Sequence, residues 1–103
     1  LTVRGGVWRG VSLRGADLTE LDLTGLHLDE ADLSEADLTG ATLRDARLER
    51  AVLRNATLHR ADLRGARLGG SDLAAARLQD TQLDLAGVIA LAEAHGAVLE
   101  LDG

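Results

Sequence analysis

Leucine recurs at every fifth residue from Leu13 to Leu83, fifteen times without a miss. Two residues before each leucine the chain prefers a small side chain: alanine stands at every fifth position from Ala31 to Ala66, and Ser71 and Ala76 continue the series. An α-helix turns by about 100° per residue, so a period of five steps about 140° each time and no apolar face builds up. A heptad coiled coil fails for the same reason. In extended backbone, residues two apart point the same way, so Ala36 and Leu38 share a side. The next small residue, Ala41, comes three later, and a corner is needed to restore the inward direction. Each unit is therefore a short extended piece plus a turn.

The turn residues agree. Gly5, Gly10, Gly15, Gly25, Gly40, Gly65 and Gly70 all fall two after the inward large position, and Asn55 takes the same place. These residue types tolerate positive φ in a tight turn. A chain that turns the same way at each unit closes after about four units, which gives a square-sectioned coil of about 20 residues. Leucines such as Leu23, Leu43 and Leu63 then stack in a column, with alanines in a narrower column beside them. Leu21 and Leu26 occupy small positions and are expected to widen their coil.

Several units read A-D-L-x-x: Ala16-Asp17-Leu18, Ala31-Asp32-Leu33, Ala36-Asp37-Leu38 and Ala61-Asp62-Leu63. Over roughly residues 1 to 88 the chain resembles the pentapeptide-repeat family. The resemblance implies an all-β solenoid, a right-handed quadrilateral β-helix of about four coils closed by a short C-terminal α-helix. It also implies two functional expectations. Members often use a C-terminal helix to cap the stack and form dimers. Some protect DNA gyrase and topoisomerase IV from quinolones as dimeric rods that imitate B-form DNA in shape and negative charge.

The division expected along the chain is a repeat region, 1–86, followed by a cap and short strand, 87–103. Residues 87 to 96 read as a helix with Asp84 as N-cap and Gly96 as C-cap. Val88, Leu91, Ala92 and His95 are expected to face the last coil. Residues 97 to 101 read as a short strand, apolar on both sides apart from Glu100, that wants two neighbours. Candidate cap or dimer contacts are Leu91, Ala94, Val98, Leu99 and Leu101. At the other end, Val3 and Trp8 hold leucine positions. Trp8 is the only aromatic residue and is expected to lie over the open end or to point outward, where it could anchor a partner. Leu1 is already in register, as in a domain cut from a longer chain.

Formal net charge is −6, with arginine as the only basic residue type besides histidine. The charges come in blocks. Residues 17 to 37 carry Asp17, Glu20, Asp22, Asp29, Glu30, Asp32, Glu35 and Asp37 and no arginine, whereas residues 44 to 67 carry seven arginines. In a coiled stack these blocks become alternating bands, and the eight acids form the candidate interaction surface. Aspartates just before an inward leucine can also bond local backbone groups.

Catalytic chemistry is not expected. His27, His59 and His95 do not converge, so no metal site is readable. Ser12, Ser34 and Ser71 lack a positioned base. The glycines follow the five-residue period rather than a phosphate-loop spacing. Cofactors and a small-molecule substrate are not expected. Neither is direct nucleic-acid binding, since stacking aromatics are missing. With no cysteine and no apolar run long enough to span a membrane, the expectation is a cytoplasmic protein. The functional expectation is a non-enzymatic interaction or scaffold domain with a protein partner, including a homodimer through the C-terminal segment. The alternatives are a DNA-mimicking gyrase or topoisomerase binder, and a purely structural domain of a larger protein.

Overall fold

The computed structural model describes residues 8–96. Parallel pairing joins residues 20 apart without a gap, from Ser12↔Asp32 to Asp62↔Gln82. The chain is therefore a stack of 20-residue coils. Residues in equivalent positions lie one above another in four columns.

The expectation of an all-β quadrilateral β-helix is corrected by the backbone. Among the described residues there is no β-strand and no sheet, only isolated single-residue bridges and one helix, α1, Leu85–Ala94. The five-residue unit gives the reason. Two of its residues form the turn and two flank it, so one residue per unit is left to pair on both sides. The terms β-helix and solenoid describe a strand content that the chain does not have.

Backbone amides in the unit 32–36 are fully accounted for, as a buried chain requires. Asp32 donates back to the Val11 carbonyl at 2.9 Å, and Leu33 donates forward to Val52 at 2.7 Å. Glu35 donates forward to Arg54 at 2.8 Å, and Ala36 closes the turn onto Leu33 at 3.1 Å. The remaining amide, Ser34, bonds the Asp32 carboxylate at 3.0 Å. The ladder and turn bonds repeat position for position through the described coils, and the carboxylate-to-amide bond recurs where the second residue of the unit is aspartate.

Each corner is a four-residue turn whose third residue has positive φ, the geometry of a type II turn. Among the described residues that residue is glycine at Gly10, Gly15, Gly25, Gly40, Gly65 and Gly70, but not at the other corners. Glu20, Glu30, Glu35, Asp45, Arg50, Asn55, Arg60, Ala75 and Asp80 hold φ between 55° and 61°. Such residues cost about 1 kcal/mol or more each, so the stack holds them in place rather than the reverse.

Inside the coils, Leu33, Leu38, Leu43, Leu48, Leu53 and Leu58 are fully buried, with Ala31 to Ala61 beside them. Leu26 is buried and Leu21 is half-buried. Both sit at the N-terminal end, where they line an apolar recess of 180 Å³ with Trp8 and neighbouring leucines. The end of the stack thus accommodates their extra size. Trp8 lies over this end, 38% exposed, with its amide on the His27 carbonyl at 2.8 Å.

At the other end, Asp84 caps α1 by accepting from the Gly87 amide at 2.8 Å. Its second oxygen accepts from the Gly65 amide at 2.7 Å. The spacing from Gly65 to Asp84 is that of the ladder, so this carboxylate stands where a backbone carbonyl stands in earlier coils. The helix seats Gly87, Ala90 and Leu91 rather than Val88, which is half exposed. A Cβ on Gly87 would meet the Leu83 Cδ2 at 3.1 Å, so any other residue here requires that side chain to give way. Val98, Leu99 and Leu101 lie outside the described residues.

Burial ranks the leucines. Leu48→Ala is expected to cost about 2–5 kcal/mol in urea denaturation, whereas Leu78→Ala, at a site 38% exposed, costs well under half of that. Ala75→Gly, which relieves a left-handed alanine, raises stability by about 1 kcal/mol.

Candidate functional site

The outer wall is built from the second, fourth and fifth residues of each unit. Its second-position side chains form four columns: Ser12, Asp32, Val52 and Asp72; Asp17, Asp37, Thr57 and Arg77; Asp22, Thr42, Asp62 and Gln82; and His27, Arg47 and Arg67. The corners between columns carry most of the remaining charge.

The eight acids of the candidate surface fall into two groups. Asp17, Asp22, Asp32 and Asp37 each accept from both the amide and the hydroxyl of the Ser or Thr two residues on, with hydroxyl distances of 2.5–2.7 Å. These bonds serve the one backbone amide that the ladder leaves over. The Thr19 hydroxyl and then its amide hold the Asp17 carboxyl below the usual range. The Ser34 hydroxyl and amide do the same for Asp32.

Glu20, Asp29, Glu30 and Glu35 face arginines from other coils. Arg50 lies 3.4 Å from Glu30 and Arg9 lies 3.9 Å from it on the other side. Arg14 meets Glu35 at 3.7 Å, and Arg47 meets Asp29 at 3.6 Å. Arg60 reaches Glu20 at 3.6 Å across two coils. That reach depends on Gly40, because a Cβ there would sit 2.5 Å from the Glu20 carboxylate. Within the arginine block, Arg44 and Arg64 meet Asp62, and Arg54 meets Asp72 at 3.4 Å. Of the seven arginines in 44–67, six are paired, and Arg67 has no ion pair among the described residues. The blocks that alternate in sequence therefore neutralise one another in space. Exposed pairs of this kind are worth about 0–1 kcal/mol each, so their effect is on the surface potential more than on stability. The signal was present in the sequence: the arginine block follows the acidic block at about one coil's spacing.

Asp29 departs from the exposed norm of its corner. It is 4% exposed, and its Oδ1 and the Arg47 Nε are buried without hydrogen-bond partners. They border a recess of 250 Å³ shared with Arg9, Glu49, Arg50 and Gly69.

Among the candidate C-terminal contacts, Leu91 packs against the core, and Ala94 is exposed beside Gly69, Gly70 and Ser71. Leu85 and Val88, which were not among those candidates, are 75% and 50% exposed. The helical spacing of Val88 with Leu91 suggested a shared buried face. The cap on Asp84 rotates the helix so that Gly87 takes the buried place.

No group of three or more His, Cys, Asp or Glu residues among the described residues could hold a metal ion. No helix there is long and apolar enough to cross a membrane.

The stacked coils and their repeating unit define a class of five-residue repeat proteins, and comparison with known proteins identifies it. The family profile described as Pentapeptide repeats, in 8 copies, matches residues 3–34, 31–70 and 51–86. The chain belongs to the pentapeptide-repeat family. Among solved structures it is similar to a pentapeptide repeat protein from the Arabidopsis thaliana thylakoid lumen, with 31% identity and a TM-score of 0.76. That match covers 79% of this chain and 56% of the other. It is also similar to a pentapeptide repeat protein from Nostoc Pcc 7120, with 33% identity, a TM-score of 0.63, and 77% and 78% of the two chains covered. A likeness to the fluoroquinolone resistance protein QnrB1, with 24% identity and a TM-score of 0.46 over 86% of this chain and 45% of that one, carries no functional argument. No curated protein matches by sequence.

The cytoplasmic placement expected from composition does not stand. The Arabidopsis thaliana protein is lumenal, so a chain of this kind does not report its compartment through cysteine content or hydropathy.

Acid should loosen the stack. Asp17, Asp32, Asp62 and Asp84 all have folded-state pKa values below the ordinary aspartate value. The hydroxyl of Thr19 leads for Asp17, that of Ser34 for Asp32, the Arg64 guanidinium for Asp62, and the Gly87 amide for Asp84. A depressed carboxyl contributes stability above its unfolded pKa and loses it as pH falls through the folded value. The urea midpoint is therefore expected to be flat from about pH 7 to 5 and to drop below about pH 4. Asp84→Asn should reduce that drop and weaken the helical circular dichroism signal.

Proposed function

We propose that the chain is a protein-interaction scaffold that binds through its outer wall rather than through a pocket. One observation carries this reading: the wall's charges are held in register by cross-coil ion pairs on a backbone ladder of fixed 20-residue spacing. A wall of this kind presents a preorganised charge pattern, and complementary patterns set partner choice and register. The eight acids Asp17 to Asp37 contribute to it as members of that lattice. Imitation of DNA is disfavoured in this reading, because a phosphate-like track needs free negative charge and half of these acids are matched by arginine.

A second copy binds at the C-terminal end, where Leu78, Leu85 and Val88 are exposed. Sedimentation equilibrium is expected to give a dimer for the wild type and a monomer for Leu85→Glu. A monomer for both removes the self-association part of the proposal. The scaffold part is tested by cross-linking mass spectrometry in native extract. Reproducible cross-links between outer-wall positions and one protein partner are expected, and cross-links confined to a second copy of the chain would contradict it.

A further inference from the structure

Three of the four wall columns contain at least one carboxylate, and the fourth contains none. That column is His27, Arg47 and Arg67, bridged directly one coil to the next. Its flanking corner adds Arg9 and Arg50, so this wall carries four arginines against Asp29, Glu30 and Glu49. In a chain of net charge −6, its column and corner make it the one wall with a positive balance among the described repeat residues, with Glu93 of α1 beside Arg67 and Gly69 at its C-terminal end.

Its members are prepared in different ways. Arg47 is held from below by buried Asp29 at 3.6 Å and from the side by Glu49 at 3.9 Å. Arg67 is exposed and His27 is half-buried, and neither has an ion pair among the described residues. Next to Arg67 the corner is Gly69-Gly70, and a Cβ on Gly69 would meet nothing within 4 Å. The missing side chain at Gly69 leaves the 250 Å³ recess open between Arg47, Arg50 and that glycine.

We infer that this wall docks an acidic protein segment in extended form, with carboxylates on Arg67 and on the Arg47–Arg50 edge of the recess. This rests on the scaffold reading and names its partner chemistry. Guanidinium groups pair with carboxylates through two parallel hydrogen bonds. The column spans about 10 Å at the usual spacing of paired chains, which an extended peptide covers in about three residues. A nucleic acid fits less well. Glu30 and Glu49 interrupt any continuous phosphate track, and stacking aromatics are absent from the wall.

The test uses the full chain and a fluorescein-labelled decapeptide of alternating glutamate and serine, read by fluorescence anisotropy at low salt. Arg67→Glu is expected to weaken binding about tenfold or more. Arg77→Glu, in another column and also exposed, should change it by less than about twofold. Circular dichroism confirms that both variants fold. Equal effects from the two variants, or no binding by the wild type, would overturn the inference. So would tighter binding of a single-stranded oligonucleotide that Arg67→Glu abolishes. Failure of the peptide while cross-links still map to other walls removes this docking site and leaves the scaffold. Peptide binding without wall cross-links to any partner supports the column and removes the scaffold.

Discussion

Everything in this molecule depends on the hydrogen bonds that join a residue to its counterpart one coil away. They fix the columns, and the columns decide which side chains meet. Two outward amides and one inward carbonyl per unit lock each coil to the next, while the turn amide closes locally. Leucine burial supplies the drive, at about 1.5–3 kcal/mol for each fully buried side chain. The ladder supplies the register, without which the same leucines would make a shapeless apolar cluster.

Register explains features that look unrelated. Among the described residues, nine non-glycine residues are held at left-handed corners because neighbouring coils dictate the turn. The aspartates serve the single amide that the ladder omits. Asp84 ends the stack by offering Gly65 a carboxylate in place of the next carbonyl while its other oxygen starts the helix. Gly40 lets Glu20 and Arg60 meet across an intervening coil. Each is a local solution to the requirement that equivalent positions stack every 20 residues.

Much of this was legible in the leucine period alone. A strict five excludes helix and heptad, and two apart within the unit demands extended backbone and a corner. The N-cap at Asp84 was legible because its residue type and position are local properties. The amount of regular strand was not: three extended residues per unit suggested strands, but the turns at both ends leave a single bridging residue. Charge was read correctly as blocks and incompletely as a surface, since block separation has to be compared with coil length before any net field can be assigned. The exposure of Val88 and burial of Gly87 follow from how the helix leaves the last coil, which a helical periodicity does not encode. The basic column emerges only when residues are sorted by position within the 20-residue coil rather than by order in the chain.

The stacking of equivalent positions is open to a direct chemical test, because the chain has no cysteine. Thr42 and Asp62 are paired one coil apart, within the Cα separation of roughly 4.4–6.8 Å that a disulfide tolerates. A Thr42→Cys/Asp62→Cys variant is predicted to form an intramolecular disulfide under mild oxidation and to gain resistance to urea, whereas Thr42→Cys/Thr57→Cys, closer in sequence but in different columns, does not. Efficient bridging of the 42/57 pair with none at 42/62 would contradict the coil length on which the account is built.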